Sequence, residues 1–239
     1  MTGEHRGWVQ DRVPQALLTM TWNTPQWSTR DSVMLELIGQ VLSDGKTSRF
    51  YKRLVYDDRI ATQVQAGQNG REINSQFQIY AFAQPGAGLE KVETSVREEL
   101  ERFLKAGPTD SELERVKVQY EAGLVRGMER IGGFGGKSDR LAQGMVFAGN
   151  PEQYRVALNW VRQATKADLQ QVARAWLSDG VYILEVHPFP EFKPVTSTVD
   201  RTKLPGTANP EANSPTAPLG AGSRKASRCS RHSAGGRRS

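Results

Sequence analysis

The stretch Leu42–Ala61, L-S-D-G-K-T-S-R-F-Y-K-R-L-V-Y-D-D-R-I-A, constrains the fold most, because several elements must meet inside it. An amphipathic run from Ser28 to Leu42 reaches Asp44-Gly45, where glycine tolerates the positive φ that closes a helix. From Ser48 a helical pattern resumes. Phe50, Tyr51, Leu54 and Val55 fall on one apolar stripe through Val55. A strand pattern begins near Ile60. The segment is therefore expected to hold a helix, a tight corner, a short helix and a strand entering a sheet.

The flanking chain supplies the rest of the architecture. In Ala16–Trp22, Thr19 and Thr21 alternate with Leu18, Met20 and Trp22, as a half-buried strand requires. Pro14 suits the start of that strand. Ser28 or Thr29 can cap the first helix, whose buried stripe is Met34, Leu37, Ile38, Val41 and Leu42. Two strands are expected at Ile60–Gln68 and Gln76–Phe82, the second stopped by Pro85-Gly86. Leu89–Leu104 is an amphipathic helix ended by Gly107-Pro108. Thr109 and Glu112 form a capping box for the next helix. Glycines from Gly132 to Gly136 interrupt the helical run, and a helix over Ser138–Val146 follows. Pro151 suits the first position of another helix. Thr165 and Asp168 start the last helix, and Val181–Val186 is a final strand. Helices cluster after the strands, so the expected class is α+β: two layers, with helices on one face of a mainly antiparallel sheet.

The formal net charge of +6 invites a nucleic-acid reading, but its distribution argues against one. From Asp200 onward eight basic and two acidic residues carry the whole excess, so residues 1–199 are neutral. That part has no net field to steer an anionic partner. No apolar run approaches the ~18 residues of a membrane span. Met1–Gln10 is polar and lacks the apolar core of a signal peptide. The lone Cys229 excludes an internal disulfide. The expected organisation is an N-terminal extension over 1–11, one domain over 12–194, and a disordered tail over 195–239. Proline, glycine, serine and arginine dominate that tail. A truncated or frame-shifted gene end would account for it.

Gly45-Lys46-Thr47-Ser48-Arg49-Phe50-Tyr51-Lys52-Arg53-Leu54 resembles the G-x-x-S-R-L-[FY]-x-x-L corner of the pitrilysin/insulinase family of zinc metallopeptidases. Asp11-Arg12-Val13-Pro14-Gln15, Ser111–Lys117, Ile131–Lys137 and Asn150–Tyr154 resemble further pieces of its large bacterial members, in the same order. Together they cover about Arg12 to Pro190. The resemblance implies a two-layer domain of the C-terminal, non-catalytic type. It also implies a zinc-bearing domain or subunit as partner and a peptide as substrate, with no role for nucleic acid or membrane. A parent protein in the periplasm is compatible with it.

The family's zinc site is H-x-x-E-H on a helix plus a distant glutamate. Two imidazoles one turn apart hold the metal, and the intervening glutamate activates water. This chain has only His5, His187 and His232, no two within a helical turn. No metal ligand and no catalytic residue are therefore expected here, and zinc is expected in the partner domain. The family's C-terminal-half pair, an arginine and a tyrosine that contact the substrate carbonyl, falls on Val55 and Thr62. Neither supplies a cation or a phenol. Tyr51 falls on an aromatic position that faces substrate in some relatives, and is the one candidate substrate contact. Gly132–Lys137 does not fit G-x-x-x-x-G-K-[ST] and follows a helix rather than a strand, which argues against a phosphate loop. Two other readings are a scaffold subunit without a role in proteolysis and a basic tail that binds anionic polymers or membrane surfaces.

Overall fold

The computed structural model describes residues 2–189; the expected tail over 195–239 lies outside the described residues. Strands β1 (His5–Asp11), β2 (Leu17–Thr24), β3 (Ala61–Asn69), β4 (Ser75–Ala83) and β5 (Val181–Pro188) form one sheet in the order β1-β5-β2-β4-β3. All pairings are antiparallel except β1 with β5. Six α-helices accompany it: α1 (Arg30–Ser43), α2 (Leu89–Ala106), α3 (Asp110–Glu129), α4 (Lys137–Ala148), α5 (Gln153–Gln163) and α6 (Lys166–Leu177). The class is α+β.

Alternation in the strands decides which face the helices cover. Leu18, Met20 and Trp22 of β2, Phe77, Ile79 and Ala81 of β4, and Val181 and Ile183 of β5 are buried in one core. Met34, Leu37, Ile38 and Val41 of α1, Val92, Val96 and Phe103 of α2, and Leu169, Val172 and Ala173 of α6 pack against them. Each fully buried side chain of this kind contributes roughly 1.5–3 kcal/mol. The capping boxes read from sequence are present: Thr109 and Thr165 accept from the N–H groups of Glu112 and Asp168, whose carboxylates return the bond.

Three expectations need correction. The extension expected over 1–11 holds an edge strand of the sheet, His5–Asp11. Its polar, exposed sequence hides it; backbone pairing to β5 and a charge network hold it instead. Arg6 donates to Glu93 of α2 at 3.0 Å, and Arg97 bridges Glu93 at 2.8 Å and Glu4 at 2.6 Å. Pro151 lies before its helix rather than at its first position. The Asn150 carboxamide oxygen accepts the Glu152 N–H at 2.9 Å, and this turn delays α5 to Gln153.

The third correction concerns the short helix of the corner. Over Tyr51–Asp57 it is a π-helix rather than an ordinary α-turn. Phe50 and Leu54 are fully buried, while Tyr51 and Val55 are half-buried. At its end the Asp58 N–H reaches Arg53 five residues back, and the Ile60 N–H reaches Leu54 six residues back. The helix thus widens as it unwinds into β3. Arg59 takes up the turn with φ of 52°, the one non-glycine positive φ among the described residues. A left-handed conformation costs an L-residue about 1–2 kcal/mol. Arg59→Gly is expected to stabilise the fold by roughly 0.5–1 kcal/mol in denaturant titrations, the gain reduced by glycine's looser unfolded chain.

Candidate functional site

The α1 helix places the chemistry. Thr29 caps it by accepting the Ser32 N–H, and one face then runs Ser32, Glu36, Gly39, Gln40 and Ser43 toward edge strand β3. Gly39 lets the two backbones touch: an added Cβ there would lie 2.8 Å from the Gly67 Cα and 3.0 Å from the Ala66 carbonyl oxygen. One turn on, the Ser43 hydroxyl donates to the Ala66 carbonyl at 2.9 Å and accepts the Ala66 N–H at 2.7 Å. A serine side chain thus satisfies both backbone groups that β3 would otherwise offer at this point of its free edge.

Beside this contact lies a cleft of about 500 Å³, lined by Glu36 and Gln40 of α1, by Gln65, Gln68 and Asn69 of β3, and by Tyr80 of β4. A second cavity of about 190 Å³ adjoins it, lined by Trp27, Ser32, Tyr120, Gln143 and Gln153. Glu36 and Gln68 line both. The Gln68 carboxamide is fixed, with its nitrogen 2.9 Å from the Thr24 hydroxyl and 3.3 Å from the Ser32 hydroxyl. Trp27 is fixed as well: its backbone N–H donates to the Arg71 carbonyl at 2.9 Å, and its ring leaves no room for a Cβ at Gly70. The Gln40 Oε1 atom is buried without a donor.

Glu36 is exposed to water where the two cavities meet. Burial pushes its carboxyl up from the ordinary carboxylate range, and Arg140 of α4 opposes the rise. Arg140 does not form a contact ion pair with it, and its own Nε is buried without an acceptor. Burial also pushes the Tyr120 phenol up, and the Glu36 charge adds to this.

Tyr51 opens the π-helix, half-buried, and is not among the residues lining this cleft. Val55 packs on the core, and the Thr62 hydroxyl donates to Gln15 Oε1 at 3.0 Å. His187 stands beside Glu185, its Nε2 2.9 Å from the carboxylate. His5 and His187 lie toward opposite ends of the β1–β5 ladder, paired with Tyr182 and Gln10. The cleft face of α1 carries hydroxyl, carboxylate and carboxamide groups but no imidazole, so these residues do not fit a hydrolytic zinc. Among the described residues no group of three His, Cys, Asp or Glu side chains is placed to hold a metal. No described helix is long and apolar enough to cross a membrane.

The corner that resembles the family motif is a structural joint. Ser48 is fully buried and its hydroxyl donates to the Gly45 carbonyl at 2.7 Å. The Arg49 guanidinium grips Glu112 with two bonds of 2.7 Å, donates to the Gly107 carbonyl at 2.9 Å, and lies 5.1 Å from the Phe103 ring centroid. Burial would raise the Glu112 carboxyl, but Arg49 and the Thr109 N–H outweigh it and hold it below its ordinary range.

An α+β domain with this sheet order and a helix laid on the edge strand matches known proteins. Residues 2–120 match the family described as the peptidase M16 inactive domain. The chain belongs to this family, the one that its corner resembles. The zinc protease PqqE of Helicobacter pylori is 24% identical over 127 residues, which are 53% of this chain and 27% of that protein. A protease from Helicobacter pylori superposes with a TM-score of 0.69 at 20% identity, covering 78% of this chain and 44% of that one. An inactive peptidase domain from Bordetella parapertussis superposes with a TM-score of 0.64 at 20% identity, covering 78% of this chain and 99% of that one. The chain thus spans about a quarter of PqqE and under half of the Helicobacter structure.

Proposed function

We propose that this chain is a non-catalytic domain of a zinc metalloendopeptidase, forming part of a substrate-chamber wall and packing against a zinc-bearing domain. The observation that carries the reading is the match to an inactive domain, together with an α1 whose cleft face presents Ser32, Glu36, Gln40 and Ser43 and no imidazole. Water attack on the peptide carbonyl then takes place at zinc held by the partner, and this chain shapes the space around the peptide. Tyr51 belongs to the same proposal as a peptide contact. A Tyr51→Ala variant that leaves turnover by the assembled peptidase unchanged removes it from that role.

The test is co-purification of the chain from its own cells, followed by a peptide-cleavage assay with and without a chelator. A zinc-bearing peptidase partner, with no chelator-sensitive cleavage by this chain alone, is the expected result. Cleavage by the purified chain alone overturns the reading. Recovery in a complex without peptidase activity favours the scaffold alternative.

A further inference from the structure

We propose that the α1–β3 cleft binds an extended peptide segment and seats one of its lysine or arginine side chains against Glu36. This deepens the reading above and rests on it for the source of the peptide.

Among the described residues the Glu36 carboxylate has no contact ion pair, and the one cation that acts on it, Arg140, acts from a distance. The Arg140 guanidinium is packed elsewhere, close enough to Gly127 that an added Cβ would meet its Nε at 3.0 Å. A carboxylate that faces a cleft, open to water and without a partner, is free to take a cation brought to it.

Size and shape narrow the ligand. The inner cavity, about 190 Å³, is several times the ~30 Å³ share of one water. It is smaller than the ~300 Å³ at which pockets for whole small molecules begin. It therefore suits one side chain rather than an entire ligand. Its walls pair an aromatic ring, Trp27, and the apolar Val33 and Ala157 with Glu36 and Tyr120. A lysine or arginine needs this combination, since its stem is apolar and its head is charged. An arginine or lysine head near the Trp27 face adds a cation–π attraction.

The outer cleft suits the main chain of the same peptide. Gln40, Gln65, Gln68, Asn69 and Gln78 line it, and each carboxamide both donates and accepts, as a peptide bond does. Gln40 Oε1 lacks a donor, and a peptide N–H would supply one. Because Ser43 already holds both backbone groups of Ala66, the peptide cannot add as a continuous strand there and must be held by side chains.

Fluorescence anisotropy with the full chain tests this. The probes are a labelled Gly/Ser/Ala peptide with one central lysine and the same peptide with norleucine. The lysine peptide is expected to bind at least about tenfold more tightly. The net charge of +6 disfavours such a ligand, so bulk attraction cannot produce the preference. Glu36→Gln should abolish the preference while leaving the norleucine peptide's affinity unchanged. Gln40→Ala, which keeps the carboxylate, should weaken both peptides alike; it also covers the case in which Glu36→Gln does not fold. Equal affinities, no binding of either peptide, or a preference that survives Glu36→Gln overturns the proposal. Loss of the cleft proposal with a zinc peptidase still co-purifying leaves the chamber reading intact. Lysine-selective binding without such a partner sinks the chamber reading alone.

Discussion

Arg49→Ala is expected to lower the unfolding free energy by about 2–3 kcal/mol at pH 7. Breaking a buried ion pair by removing one partner costs about 3–5 kcal/mol. The Arg49 and Glu112 side chains keep 12% and 19% of their exposure, and water therefore recovers part of the loss. Three separate contacts go with the guanidinium: the fork on Glu112, the Gly107 carbonyl that closes α2, and the Phe103 face. Arg49→Lys keeps the charge but not the fork, so an intermediate loss is expected. The pH dependence separates the ion pair from the packing. In the native chain the Glu112 carboxyl is held below its ordinary range, so the stability it contributes is present above about pH 4.5 and is lost as pH falls through its folded value. In the variant only burial and Thr109 act on that carboxylate, and burial raises it. The gap between native chain and variant should therefore shrink between pH 7 and pH 3 in denaturant titrations. A gap of the same size at both pH values would show that packing alone is lost and that the carboxylate does not matter.

This joint also shows what a single sequence makes legible. The helix–corner–helix–strand order around Gly45 follows from local chemistry, because the breaker, the caps and the apolar spacings all act within a few residues. The two threonine capping boxes are legible for the same reason. The π-helix is not. Phe50 and Leu54 fit an ordinary turn, and the wider turn is set by where β3 must join the sheet. Strand β1 is equally hidden, because H-R-G-W-V-Q-D has no apolar face and its partner β5 lies at the far end of the domain. Ser48 and Arg49 are visible as a motif, and the Ser48 bond to Gly45 is local, but the partners of Arg49, Gly107 and Glu112, appear only once α2 and α3 have folded beside the corner.

Glu36 illustrates the same limit at the candidate site. It interrupts an otherwise apolar run, V-M-L-E-L-I, which is the one local sign of it, and a lone acid on a helix ordinarily marks the solvated face. Its setting depends on Tyr120 of α3, Arg140 of α4 and Gln68 of β3, all distant in sequence. By contrast, the missing imidazole pair and the substitution of Val55 and Thr62 for a cation and a phenol are statements about residue identity. They require no folding to read. Chemistry that is absent is thus easier to see in a sequence than a cleft assembled from elements far apart in the chain.

Gly39→Ala carries the opposite expectation from the one that helix propensity gives. In a helix interior alanine is favoured over glycine by about 0.8–1.0 kcal/mol. At this position the added methyl would sit 2.8 Å from the Gly67 Cα and 3.0 Å from the Ala66 carbonyl oxygen. Both are backbone atoms of β3, so no rotamer change relieves the clash and α1 must move off the strand. Such overpacking costs about 1–3 kcal/mol. The movement also separates the Ser43 hydroxyl from the Ala66 N–H and carbonyl, which adds roughly 1 kcal/mol for each bond lost. The net expectation is a loss of about 2–4 kcal/mol despite the propensity gain, read as a lower denaturant midpoint with the slope unchanged. Gly67→Ala is the control on the strand side, since nothing lies within 4 Å of a Cβ at that residue. The two variants should differ sharply although both turn glycine into alanine within one contact. If Gly39→Ala proves neutral or stabilising, the close approach of α1 to β3 is wrong, and with it the geometry that brings Glu36, Gln40 and Gln68 into a single cleft.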